Sequence, residues 1–137
     1  MARPYLMGSA AAIKSVSADV TLTGADSGKV VVVDASAAAN FTITLPPTAS
    51  SLGFETTIIL GVASNAAAQV LVTSDTNIVG TINDNSGGVG AYAETGASRG
   101  FDDASKAGSR CSLFCDGTQW LILQWDMDLA AITAIAG

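Results

Sequence analysis

Hydrophobic and polar residues alternate with a period of two through much of the chain, which predicts β-strands. The pattern is clearest over residues 40–45, where Phe41, Ile43 and Leu45 alternate with Asn and Thr side chains. Two prolines follow directly, and proline cannot donate to a ladder of backbone hydrogen bonds, so the strand should end there. A run of four valines within residues 29–34 predicts a strand covered on both faces.

The most apolar stretch is the segment from Ser109 to Trp125, SRCSLFCDGTQWLILQW. Its Asp116-Gly117 pair is typical of a tight turn between two strands, because glycine supplies the positive φ that such turns need. Neither flanking run has a polar face, which predicts a hairpin at the centre of the sheet. Trp120 and Trp125 differ in parity, so at most one is expected to face a given side.

Other short strands are expected, and together they indicate an all-β fold. Residues 83–108 are rich in glycine and show no sustained period, which predicts a long loop. The fold class is therefore a single-domain β-sandwich or barrel, jelly-roll-like, with extended arms at both ends. We place an N-terminal arm at 1–18, the β domain at 19–125 and a C-terminal tail at 126–137, either a short helix or an apolar ribbon. The additional strands are predicted at 19–23, 54–60, 69–73 and 77–82, the last two separated by a turn at Asp75.

Charge is scarce: 49% of the residues are hydrophobic and 13% are charged, against about 25% charged in typical domains. So little polar surface indicates that other chains cover part of the exterior, in an oligomer or a larger assembly. The net charge is −6 and the six cations are scattered, which argues against nucleic-acid binding. No apolar run approaches the length of a membrane span, so no membrane partner is expected.

The residues that carry most enzyme chemistry are missing. There is no histidine, which excludes Ser-His-Asp and Cys-His nucleophiles and most zinc and iron sites. Cys111 and Cys115 lie four residues apart in one predicted strand, about 13 Å at 3.3 Å per residue, too far for a disulfide. We expect them to be small buried residues of a protein from a reducing compartment.

Three further motifs are weak signals for chemistry. Asp102-Asp103 are neighbours in the chain and point to opposite sides, so they cannot converge as an acid–base pair. The Asn83–Gly87 segment has the wrong spacing for a calcium loop. The Gly87–Gly90 segment lacks the lysine of a phosphate-binding loop. The sequence therefore predicts neither an enzyme nor a cofactor or metal site.

Three segments together carry a family resemblance: VTLTGADSGKVVVVDAS, NFTITLPPTASSLGFETTIIL and the closing SRCSLFCDGTQWLIL. They resemble small β-structured virion proteins of tailed bacteriophages, most of all the capsid decoration, or cement, proteins. The resemblance covers most of residues 19–125 and implies a homotrimer that is assembled in the bacterial cytoplasm. It brings no catalytic residues. Tail-fibre modules share the same motifs.

We therefore expect a structural virion protein that binds the major capsid protein on the capsid exterior and stabilises the shell. The alternative is a tail-fibre or receptor-binding module. The two arms and the glycine-rich loop are the expected contact segments. The candidate partner-binding residues within them are Arg3, Tyr5, Leu6, Tyr92, Arg99, Phe101, Leu129, Ile132 and Ile135.

Overall fold

The strands form one continuous sheet that curls into a nearly closed barrel, which confirms the predicted all-β barrel or sandwich. The structure is a computed structural model that describes residues 12–37, 39–65, 69–84, 91–101 and 104–127. Short 3-10 helices cover Gly24–Asp26 and Thr48–Ser50. The strands are β1 (Ile13–Val16), β2 (Val20–Thr21), β3 (Val30–Asp34), β4 (Phe41–Thr44), β5 (Glu55–Val62), β6 (Val70–Asp84), β7 (Ala91–Phe101), β8 (Arg110–Cys115) and β9 (Trp120–Met127).

The first six strands alternate between two parallel stacks. β1, β3 and β5 pair side by side in one stack, and β2, β4 and β6 pair in the other. The chain thus winds like the coils of a solenoid, and each coil gives one strand to each stack. Alternate side chains point inward from both stacks, so Val31 and Val33 of one meet Ile43 and Val72 of the other in a single core.

The hairpin of β8 and β9 joins the two stacks. β8 runs antiparallel to β5, and β9 pairs with both β8 and β6. The prediction of a central hairpin is confirmed. Its turn has Gly117 at φ 90°, and the Asp116 carboxylate accepts hydrogen bonds from the amides of Thr118 and Gln119 at 2.8 and 2.9 Å.

Both tryptophans of the hairpin are fully buried. Trp120 packs edge-on against Phe54, with ring centroids 5.4 Å apart, and Trp125 packs on Phe101 at 5.3 Å. The prediction that the two indoles face opposite sides was wrong, because the β8–β9 register shifts at a bulge that contains Leu123.

The largest difference from the sequence prediction lies in the glycine-rich segment. The loop predicted at 83–108 was wrong for residues 91–101, which form β7 and pair with β6 along nearly its whole length. The turn predicted at Asp75 is a register shift between Thr73 and Ile78 inside the continuous strand β6. The strand predicted at 19–23 is reduced to the two residues of β2.

Three further details differ from the sequence expectation. Five of the eight pairings between described strands are parallel, so the connectivity is not that of an antiparallel jelly roll. β1 lies within the segment predicted as an N-terminal arm, and its residues belong to the sheet. Within the described residues, the valine run of β3 is covered on one face: Val31 and Val33 are inaccessible, whereas Val30 is 37% exposed.

Candidate interaction face

The outward side of β1, β3, β5, β8 and β9 is a single surface, which we call the outer sheet face. Strand register places its members in adjacent rows that cross all five strands. One row runs from Ile13 to Gln124 and the next from Ser15 to Asp126. A third, shorter row contains Glu55, Phe114 and Leu121, and the exposed Asp34 ends β3. The remaining members are Ile13, Ser15, Val30, Val32, Thr57, Ile59, Arg110, Ser112, Gln124 and Asp126, together with the bulged Leu123 between the rows.

Large apolar side chains lie open to solvent on this face. Leu123 is 59% exposed and Ile13 is 50% exposed, and Val30 lies directly beside Ile13 in the β1–β3 ladder. Val32 and Ile59 are half-buried neighbours in the adjoining row. The apolar members are therefore contiguous across β1, β3 and β5, and the exposed Leu123 and the half-buried Phe114 and Leu121 add apolar surface on β8 and β9. Contiguous exposed apolar surface of this kind marks sites of protein contact.

Most polar groups of the face bond to one another. The hydroxyls of Thr57 and Ser112 share a hydrogen bond of 2.9 Å across the β5–β8 ladder. Arg110 Nη2 lies 3.9 Å from Asp126 Oδ2, and the Gln124 side chain donates to the same carboxylate. Because these groups already have hydrogen-bond partners, a second protein surface can cover them without leaving a buried polar atom unbonded.

A buried charge cluster is centred on Asp26 of the first 3-10 helix. The Asp26 side chain is 4% exposed and lies 3.3 Å from the ammonium groups of both Lys14 and Lys29. Burial by itself raises the pKa of Asp26, but hydrogen bonds from the Thr23 amide and the two lysines outweigh it and hold the pKa below its ordinary value. The cluster ties β1 to the first 3-10 helix, which is a structural role.

A hydroxyl and carboxylate cluster joins the second 3-10 helix to β6. Thr48 donates to Asp75 from its hydroxyl at 2.6 Å and from its amide at 3.1 Å, and its hydroxyl also meets that of Thr76 at 2.6 Å. The Thr48 hydroxyl is the main cause that lowers the pKa of Asp75. A carboxylate with a lowered pKa is a poor general base near neutral pH, so the cluster serves to anchor the helix.

Both cysteines are buried and free, as the sequence predicted for small core residues. Burial raises the pKa of the Cys111 thiol far above its usual value, and the Cys115 thiol points at the carbonyl of Thr48, 3.7 Å away. Within the part of the chain that is described, no cluster of three or more metal-ligating side chains occurs. The cysteines are therefore components of the core.

The structure places three of the nine predicted contact residues, all on β7. Tyr92 pairs with Ile82. Arg99 is half-buried, donates to the Ser98 carbonyl at 2.7 Å and lines a shallow surface depression. Phe101 is fully buried against Trp125 and belongs to the core, so its side chain presents no contact surface. The other six, which lie outside the described residues, are Arg3, Tyr5, Leu6, Leu129, Ile132 and Ile135.

β7 does not bring its three candidates together. Tyr92 and Phe101 are separated by roughly 30 Å of extended chain at 3.3 Å per residue. The surface residues that sequence reasoning missed are Ile13, Val30 and Leu123 of the outer sheet face. A signal for this face was present in the valine run of β3, which is apolar at both parities.

Comparison of the chain with protein-family models, with curated proteins and with solved structures finds no match. Among the described residues, no helix has the length and apolar character that crossing a membrane requires.

Proposed function

We propose that the chain is a structural virion protein that binds the exterior of a tailed-bacteriophage capsid as a decoration, or cement, protein. The observation that carries the proposal is the outer sheet face, where contiguous apolar side chains accompany polar groups that already bond to one another. Such a surface is suited to contact with protein. The phage assignment rests on the sequence resemblance of the strand-end and hairpin motifs.

The physical basis of cementing is the addition of many contacts. A protein that binds only the assembled shell stabilises that shell by mass action, so modest affinity at each copy gives a large total effect. The low charge of the chain supports this mode of action, because few charged groups have to lose water when it binds. The partner in this proposal is the major capsid protein.

The decisive experiment mixes the purified full-length chain with expanded empty capsids of the phage whose genome encodes it, and separately with isolated tails and host cells. We expect saturable co-sedimentation with capsids, at a fixed number of copies per capsid subunit, and capsids that resist heat better when loaded. Binding to tails or host cells alone would instead support the fibre or receptor-binding alternative. Binding to none of the three would contradict both proposals.

A further inference from the structure

We propose that the partner surface that covers the outer sheet face is apolar at its centre and presents a lysine or arginine at each of two opposite ends. This inference rests on the proposed function, because it names the chemistry of the capsid surface that the face contacts. The described members of the face include three carboxylates, those of Asp34, Glu55 and Asp126, and one cation, Arg110. The face is therefore net negative, and the surface that complements it is net positive.

Two of these carboxylates have no described cation to balance them. Arg110 already lies beside Asp126, and none of the ion pairs between described residues includes Asp34 or Glu55. The Ser36 hydroxyl and amide donate to Asp34 at 2.6 and 3.0 Å. These hydrogen bonds hold the pKa of Asp34 below its ordinary value, so it is charged at neutral pH. A surface that covers a carboxylate without supplying a cation leaves a charge unpaired away from water, which is costly.

The two carboxylates lie at opposite ends of the face. Glu55 begins β5, and the Gly28 amide just before β3 donates to its carbonyl at 2.7 Å, whereas Asp34 ends β3. Six residue steps lead from Gly28 to Asp34, which span roughly 20 Å at about 3.3 Å per residue. The contiguous apolar side chains of β1, β3 and β5 lie in the two rows between these ends. The matching surface therefore has an apolar strip between two cations at that spacing.

The Glu55 end has room for the side chain that would balance it. An open depression of about 220 Å³ borders Glu55 and is lined also by Gly28, Lys29, Val30, Thr56 and Thr57. A Cβ built on Gly28 finds open space, so glycine at this position leaves the side of Glu55 uncovered. The Lys29 ammonium is bound to Asp26 at 3.3 Å. The depression is therefore the place where a lysine or arginine of the partner would meet Glu55.

The experiment titrates the full-length chain onto expanded empty capsids of the phage that encodes it, at two salt concentrations that differ about tenfold, because salt screens exposed charges. We expect the wild-type affinity to fall at least about fivefold at the higher salt concentration. At low salt, Glu55→Gln should weaken binding about fivefold and Glu55→Lys at least about 30-fold, because the reversed charge repels the partner's cation. Glu55 is exposed, so both variants should keep the circular dichroism spectrum and the urea midpoint.

Thr21→Lys is the matched control for net charge. Like Glu55→Gln it makes the chain one charge more positive, but Thr21 is exposed on β2 in the other stack. Its capsid affinity should therefore stay within about twofold of wild type. Leu123→Ser removes an apolar contact instead, and it should weaken binding by the same factor at both salt concentrations, because burial of apolar surface does not depend on charge.

Capsid binding that is insensitive to salt, or a folded Glu55→Lys variant that binds like the wild type, would overturn this inference and leave the proposed function standing. So would self-association of the chain that Leu123→Ser abolishes without affecting capsid binding, because a second copy would then cover the face. A wild type that binds capsids at neither salt concentration would overturn the proposed function and this inference with it.

Discussion

Trp120 and Trp125 lie five positions apart in β9, yet both indoles point into the same core. β9 places Trp120 opposite Cys115 and Trp125 opposite Cys111, and between these pairs it contains one residue more than β8. The additional residue is Leu123, which lies in a β-bulge and is open to solvent. A bulge changes the parity of the strand beyond it, so both tryptophans face inward.

Deletion of Leu123 should leave the fold intact. Without Leu123 the two tryptophans are four residues apart in the chain, which is the spacing of Cys111 and Cys115 on the facing strand. The β8–β9 ladder then becomes regular. We expect both indoles to stay buried, with an unchanged fluorescence maximum and a free energy of unfolding within about 1 kcal/mol of wild type.

Deletion of Ser112, on the opposite strand, is the matched control. It increases the mismatch between β8 and β9, so this variant should unfold or lose most of its stability. A Leu123 deletion with red-shifted tryptophan emission would contradict the assignment of Leu123 as the inserted residue.

Gly80 should be irreplaceable, because β6 and β9 approach closely at this residue. A Cβ at position 80 would lie 2.6 Å from Ile122 Cβ, and the backbone there has φ +150°. We expect Gly80→Ala to cost about 3 kcal/mol or more through steric overlap and backbone strain. The measurement is the urea midpoint of unfolding.

Gly28→Ala is the control for this substitution. Gly28 also has a positive φ, +81°, but no atom lies within 4 Å of a Cβ built there. The cost should therefore be about 1 kcal/mol, from the backbone conformation alone. Equal losses for the two variants would show that the contact with Ile122 does not matter.

The Asp26 cluster should make stability depend on acid pH. The pKa of Asp26 is lower in the folded chain than its ordinary value, so the folded state favours the charged form. This contribution is present above the unfolded pKa of about 3.9 and is lost as pH falls through the lower, folded pKa. Asp26→Asn should cost about 2 kcal/mol at neutral pH, and the difference from wild type should shrink below about pH 4.

Urea unfolding of wild type and variant at several pH values measures this difference. Glu55→Gln, which removes a carboxylate from an exposed side chain, is the control and should leave the acid sensitivity unchanged. A wild-type advantage over Asp26→Asn that is the same at low and neutral pH would contradict the ion-pair role.

Both cysteines should be unreactive in the native protein. Cys111 and Cys115 have no accessible surface, and burial raises the pKa of Cys111 and disfavours its reactive thiolate. A thiol reagent should modify both at the rate of unfolding and immediately in denaturant. Thr118→Cys, at an exposed turn position, is the control that should react at once. Rapid modification of either native cysteine in the wild type would contradict its place in the core.

The central hairpin could be predicted because its apolar residues and its Asp-Gly turn specify structure locally. β7 could not, because its pairing with β6 rests on backbone hydrogen bonds, and glycines such as Gly96 and Gly100 interrupt any alternation. Gly100 lies close to Leu71 of β6, where a Cβ would meet a side-chain carbon at 3.0 Å. The close approach that selects glycine here is visible only in three dimensions.

The outer sheet face was only half predictable. The valine run of β3 indicates that the face is apolar, but the sequence does not show which alternate valines point into the core. The inward parity is set by the register of Val31 and Val33 against Ile58 and Leu60 in the parallel stack. Parallel pairing between strands so distant in the chain leaves no local signal comparable to a hairpin turn. The bulge at Leu123 is likewise a property of two strands together.

The alternation of strands between two stacks has a consequence for synthesis on the ribosome. Each new coil adds to both stacks, but β8 and β9, which join them, are translated after all six strands of the coils. Until the ribosome has released Met127, the nascent chain presents open strand edges with valine-rich surfaces. Such edges are prone to pair with other chains, so misassembly should depend on how fast translation reaches the closing hairpin.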